Sequence, residues 1–358
     1  MSLSGAGATH SYFIPETTWG SLNKTLNAAA ILSSVARIRN RPGALPSEAT
    51  SRVSSRVMGN HIARGITHRT RSTLAGSFSF NLDSHKANSN LIHELAGIGQ
   101  TEAEDKYSAL NSHSIYVPLV ENPNYHSGKA IEGILYKGMK VNQYTLNLAG
   151  ENSLLDCTLG FIGRNVVDIG VDWTDTTAPG GGSDQEFLFE IASGTTATKA
   201  VPNGTNGLGT PFEAWTAAIK FNTVFLRSIN SFSINIANGL TPVNFATSGD
   251  YIGEPVVTGR TVTGSFTIPY SSATGSGSYQ SFIEDLQGDT STHYDVEITI
   301  FSSRDSDRKV VITMPEVEIM QGQTVNSLNT GYMPVSFSFQ AFGSPGTSAK
   351  NEIYIVNT

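Results

Sequence analysis

Thr73-Leu74-Ala75-Gly76-Ser77-Phe78-Ser79-Phe80-Asn81-Leu82 returns 188 residues further on as Thr261-Val262-Thr263-Gly264-Ser265-Phe266-Thr267-Ile268-Pro269-Tyr270. Threonine, glycine, serine and phenylalanine keep their register between the two copies. A duplicated domain is the simplest reading.

The match continues beyond each copy. Asn90-Leu91-Ile92-His93-Glu94-Leu95-Ala96-Gly97 and Ser281-Phe282-Ile283-Glu284-Asp285-Leu286-Gln287-Gly288 both place apolar residues at i, i+1 and i+4 before a glycine. That pattern predicts a short helix with a glycine stop in each half. Ile115, Val117 and Leu119 then alternate with polar or turn residues, as do Val296, Ile298 and Ile300, the period of a half-buried strand. Residues 130–148 correspond to 309–325, and Leu155–Phe161 to Val335–Ala341. Each half therefore reads as strand, short helix and further strands.

A chain of 358 residues is long enough for two such units, each with its own core. The pattern divides it into an N-terminal arm (1–40), a first domain (41–172), a Gly/Pro-rich linker loop with one short strand at 186–191 (173–222), a second domain (223–345) and a C-terminal tail (346–358). Apolar residues make up 39% and charged residues only 15%, so the surface is polar with few charges. The one cysteine, Cys157, excludes an intrachain disulfide and a cysteine-rich metal site. No secretory signal opens the chain, and no apolar run approaches the ~20 residues of a membrane-spanning helix.

Charge is divided unequally. Residues 1–172 carry 15 basic and 13 acidic side chains, and residues 173–358 carry 8 and 17. Arg37, Arg39, Arg41, Arg52, Arg56, Arg64, Arg69 and Arg71 are opposed only by Glu48. Such a run reads as a phosphate-binding arm, or else as a solvated face or one that meets acidic surface on another subunit. Without interleaved aromatics or a nucleic-acid module, the second reading is preferred.

A search for chemistry finds no catalytic constellation and no cofactor or metal motif. His93-Glu94-Leu95-Ala96-Gly97 has glycine where a zinc helix needs its second histidine. Gly180-Gly181-Gly182 lacks the Lys-Ser or Lys-Thr of a phosphate loop. Glu316 and Glu318 share a strand face and could pair for glycoside cleavage, but their first-half counterparts are Gly138 and Lys140, so a solvent face is the better reading.

The polar strand faces are the unusual feature. Ser77, Ser79 and Asn81 back onto Phe78 and Phe80; Ser231, Ser233 and Asn235 back onto Phe232 and Ile234; Ser336, Ser338 and Gln340 back onto Phe337 and Phe339. Exposed strand faces commonly carry guarding charges. Short neutral polar faces suit a sheet past which a charged polymer slides, and equally an ordinary solvent face of a virion-type β protein.

With these features assembled, the chain resembles the major tail tube proteins of long-tailed bacteriophages. The resemblance rests on the opening Tyr12-Phe13-Ile14-Pro15-Glu16-Thr17-Thr18-Trp19-Gly20, the entry Phe225-Leu226-Arg227-Ser228-Ile229, the strand Gly259–Phe266, the helix Tyr279–Leu286 and a strand ending near Phe342. It implies two tandem β-sandwich tail-tube domains, each with a short side helix, whose inner sheets join into a ring barrel on assembly. Two tandem copies then imply three chains per ring of six lobes. The candidate lumen-facing or exposed sheet face comprises Ser77, Ser79, Asn81, Ser231, Ser233, Asn235, Glu316, Glu318, Ser336, Ser338 and Gln340. Candidate inter-ring contacts are Tyr12, Phe13, Trp19, Pro179, Pro202, Pro211 and Tyr354. The implied partners are further copies of the chain, a tape-measure protein, tail terminator and tail-tip proteins, and double-stranded DNA in non-specific passage. The implied location is the virion tail, assembled in the host cytoplasm, with no membrane insertion, no cofactor and no enzymatic activity. A carbohydrate-binding β-sandwich module, a tail terminator and a decoration protein are the competing readings.

Overall fold

The computed structural model describes residues 10–20, 36–39, 45–49, 52–56, 65–69, 73–82, 86–108, 110–118, 131–149, 154–171, 190–193, 196–199, 211–213, 216–226, 229–243, 252–270, 278–288, 293–304, 307–322, 333–343 and 351–357. The first half runs β1 (His10–Pro15), β2 (Ala36–Arg39), β3 (Ser47–Ala49), β4 (Arg52–Arg56), β5 (Gly65–Arg69), β6 (Thr73–Asn81), α1 (Lys86–Leu95), β7 (His113–Pro118), β8 (Ile131–Ala149), β9 (Asp156–Gly163) and β10 (Asn165–Val171). A hairpin of β11 (Glu190–Ser193) and β12 (Thr196–Lys199) comes next. The second half runs β13 (Ala217–Phe221), β14 (Val224–Phe225), β15 (Ser231–Ala237), β16 (Leu240–Thr241), β17 (Val256–Val257), β18 (Thr261–Pro269), α2 (Tyr279–Gln287), β19 (His293–Phe301), β20 (Lys309–Gly322), β21 (Pro334–Phe342) and β22 (Tyr354–Asn357).

One pairing scheme occurs twice. In the first half β3, β6, β9 and the C-terminal part of β8 are neighbours in that order, and in the second half β15, β18, β21 and the C-terminal part of β20 are. The N-terminal part of each long strand turns into a second layer, β10-β8-β7-β1-β2 in one half and β22-β20-β19-β13-β14 in the other. Both long strands carry a register shift near the crossing, at Val141/Gln143 and at Ile319/Gln321. Such bulges bend a strand and increase its twist. Each half is thus a sandwich laced by one strand that belongs to both of its layers.

The cores grow out of the alternation. Phe78 and Phe161 meet edge-to-face at 5.7 Å, and Phe266 and Phe337 stack at 5.3 Å, with Phe282 of α2 closing over Phe221, Phe266 and Phe337. In α1, Ile92 and Leu95 are buried. Ser278 caps α2 by accepting from the Ser281 amide, while Gly97 ends α1 at φ 73°, a backbone setting that suits glycine. The duplicated glycine also has a steric reason. A Cβ on Gly264 would strike the Phe339 ring and the Ser233 carbonyl, and one on Gly76 would strike Pro46.

The two sandwiches share a sheet. Strand β15 pairs with the C-terminal part of β8 over seven residues, from Ser231 opposite Ala149 to Ala237 opposite Gln143. Among the described residues the resulting sheet of sixteen strands has separate ends and does not close on itself.

Three segments differ from expectation. The stretch read as an arm contains β1, which pairs with β7 and β2 within the first sandwich. The stretch read as a linker contains β13, which pairs with β19 as β1 does with β7, and the tail contains β22, paired with β20. Each is a short strand whose partner lies far along the chain, so local pattern alone does not reveal the pairing.

Candidate assembly surface

Cross-strand register brings the short polar residues onto one continuous face. Ser79 lies opposite Thr158, Thr158 opposite Thr145, and Thr145 opposite Asn235. Asn235 lies opposite Thr263, Thr263 opposite Gln340, and Gln340 opposite Glu318. The row therefore crosses seven strands and both halves. Neighbouring rows contain Ser77, Ser231, Ser233, Ser265, Ser336 and Ser338, with Asn81 opposite Asp156.

Several of these groups bond one another, while Asn81 Oδ1 is buried without a hydrogen-bond partner among the described residues. Ser79 and Thr158 hydroxyls lie 3.0 Å apart, Ser233 and Ser265 hydroxyls 2.8 Å, and Thr267 and Ser336 hydroxyls 2.9 Å. At the join between the halves, Gln143 Nε2 and Thr145 Oγ1 both donate to Asn235 Oδ1, at 2.9 and 3.2 Å. The hydroxyl pairs and the cluster at Asn235 are engaged laterally, and most of the face is neutral. Lys140 stands on the same face and pairs with Glu254 of the second half at 2.6 Å, while Glu316 and Glu318 stand at the corresponding place on β20. The face includes Gln143, Thr145, Asn147, Thr158, Thr263 and Thr267, which the expected face left out although the same alternation marks them.

The residues expected at inter-ring contacts do not form one group. Phe13 is completely buried between Phe80 and Phe161, a core side chain with no surface to offer a second ring. Tyr12 is buried against Tyr116. Trp19 donates from Nε1 to the Gly138 carbonyl at 2.9 Å, under the Arg164 guanidinium. Pro211 is half-buried, and Tyr354 lies in β22 opposite Thr313. Pro179 and Pro202 lie outside the described residues.

The opening segment is a latch. Glu16 accepts from the Gly138 amide at 2.9 Å, the Ser114 hydroxyl at 2.7 Å and the Gly20 amide at 2.8 Å. Gly138 has φ 68° and no room for a Cβ between Trp19 and Arg164. This ties Pro15–Gly20 to the point where β8 passes from one layer to the other.

Among the described residues no group of three His, Cys, Asp or Glu side chains could hold a metal ion, and no helix is long and apolar enough to cross a membrane. His93 is fully buried against Tyr144, and burial lowers its pKa from 6.5 to about 3. Cys157 is also buried, which pushes its thiol far up. A neutral imidazole and a protonated thiol in the core are packing groups.

The family model described as phage tail tube protein matches residues 8–341. The chain belongs to the phage tail tube protein family. Its tail role is that of a virion structural component, and the family is a structural one rather than an enzyme family. Two solved structures are similar to parts of this tail tube protein. The anti-feeding prophage baseplate, 6-fold symmetrised, contains a chain 9% identical over 39% of this chain and 90% of its own, at a TM-score of 0.28. The anti-feeding prophage cap, a tube-terminating cap, contains one 4% identical over 42% of this chain and 95% of its own, at a TM-score of 0.30. No curated protein matches the chain.

Proposed function

We propose that this protein polymerises into the hollow tail tube, with three chains closing each ring of six sandwiches and the polar face turned to the lumen. The observation that carries this reading is the β8–β15 pairing. Within the chain, the first strand of the second sheet completes the long strand of the first. At the two ends of the sheet stand the counterparts of those same strands. Among the described residues β3 pairs only with β6, and Ile319–Gly322 of β20 pairs only with β21. An unpaired strand edge is a template for another chain, and head-to-tail contacts that repeat by rotation close into a ring. Carrying the internal register over places Gln321 of one copy opposite Ala49 of the next, and Gly322 opposite Glu48.

A lumen walled mainly by hydroxyls and amides, with Lys140 tied to Glu254, offers few free cations to the phosphates of DNA, which favours passage over retention. The same wall would accommodate a tape-measure protein during assembly in the host cytoplasm. Terminator and tip proteins would meet the two ends of the stack.

The test uses Ala49→Cys and Gln321→Cys together in the full chain, whose own Cys157 is buried. Oxidation is expected to give covalent trimers on a non-reducing gel, from tubes that show threefold rings end-on by electron microscopy. Monomers without cross-links under assembling conditions would overturn closure through these edges.

A further inference from the structure

The two halves carry opposite charges at matching places, and this suggests how the joint between chains is sealed. The β4–β5 hairpin sits between β3 and β6 as the β16–β17 hairpin sits between β15 and β18. The connecting segments, 50–72 and 238–260, are of equal length. Their registers coincide as well: Arg52 opposite Arg69 and Val53 opposite His68 correspond to Leu240 opposite Val257 and Thr241 opposite Val256. The same device is thus attached twice.

Its chemistry is reversed. Segment 238–260 has the acids Asp250 and Glu254 against Arg260, and Glu254 reaches across the internal joint to Lys140 of β8. Segment 50–72 has Arg52, Arg56, Arg64, Arg69 and Arg71 and no acid. On β20, the residue that replaces Lys140 is Glu318, with Glu316 two positions earlier. Both are half-buried, and among the described residues neither joins a cation in an ion pair. Base under acid within the chain becomes acid awaiting base at its free end.

We propose that the arginine-bearing β4–β5 hairpin of one copy docks over Glu316 and Glu318 of the next, sealing the joint between chains as Glu254 on Lys140 seals the joint within one. The proposal rests on ring closure by β3 and β20, and it gives the arginine run a place in subunit contacts. Opposed charges across an interface set register and suppress wrong pairings, and like charges there are costly.

The experiment scores assembly of the full chain by light scattering and electron microscopy, using Glu316→Lys with Glu318→Lys, Arg52→Glu with Arg69→Glu, and the four changes combined. Each reversed pair is expected to raise the protein concentration needed for assembly about tenfold or more, and the combination to restore much of it. Circular dichroism checks that each variant folds. If a variant does not fold, the salt dependence of the wild type decides, because partly exposed ion pairs weaken as salt rises from about 0.05 to 1 M. Reversed variants that assemble like the wild type, or wild-type assembly indifferent to salt, overturn the proposal. Ala49–Gln321 cross-linking separates the two ideas. Intact cross-links with silent charge reversals sink only the hairpin docking, whereas absent wild-type cross-links sink ring closure itself.

Discussion

Phe13 and Phe221 occupy the same place in the two halves. Phe13 of β1 lies opposite Ile115 of β7, Phe221 of β13 lies opposite Val296 of β19, and both side chains are buried. The duplication therefore begins at the very first described strand, well before the sequence repeat is visible.

Phe221→Ala should cost about 3–5 kcal/mol of stability, as large-to-small changes in packed cores do. Its ring contacts Phe266, Phe282 and Tyr294 at 5.0, 5.3 and 5.7 Å. The exposed Phe225 is the control, and Phe225→Ala should change the urea midpoint little. Equal effects would mean that Phe221 is not a core anchor.

Asn238 stitches the halves together. Its amide donates to the Ala96 and Val141 carbonyls at 3.1 and 3.0 Å, and the residue is fully buried. Asn238→Ala strands both carbonyls and should destabilise by about 1–3 kcal/mol. Hydrogen exchange should quicken at the β8–β15 pairing before it does in the β6–β9 pairing.

Stability should fall as the solution is acidified below pH 6.5. An unfolded histidine takes up its proton near that pH, whereas burial delays protonation of folded His93 to about 3 and of His113 to about 4. The unfolded state then binds more protons, so each group removes about 1.4 kcal/mol per pH unit within its window. The loss is absent above pH 6.5 and, for His113, complete near 4. Glu104 and Asp105, held low by the Gln100 and Ser108 amides, act in the same direction at lower pH. His93→Phe should flatten the urea midpoint against pH; an unchanged slope would refute the assignment.

Cys157 should resist alkylation at neutral pH until the chain unfolds, because burial keeps its thiol protonated. Labelling with iodoacetamide across a urea series should track the loss of circular dichroism. Rapid labelling of the native protein would place the thiol at the surface.

Glu16→Ala should loosen the opening segment, removing the acceptor of the Gly138 and Gly20 amides and the Ser114 hydroxyl. A loss of about 1–3 kcal/mol is expected. Because Trp19 packs against Gly138, steady-state fluorescence should report its exposure as a shift to longer wavelength.

Periodicity and repetition determined, from sequence alone, that the chain is mainly β, that it is duplicated around Thr73–Leu82 and Thr261–Tyr270, and that short polar residues share the faces opposite the phenylalanines. The alternation and the glycine stops are local, written in residues two or four apart, while the duplication is a repeat that shows when the chain is compared with itself. Only the tertiary structure decided that β1, β13 and β22 are sheet strands, that Phe13 is core, and that β15 continues the sheet of β8. Strand partners are chosen by complementary edges brought together across long chain separations, a choice that a short strand's own residues specify weakly. The arginine run shows the same division. Its composition was plain in the sequence, and its counterpart, the Lys140–Glu254 joint, became visible only when two strands far apart in the chain lay side by side.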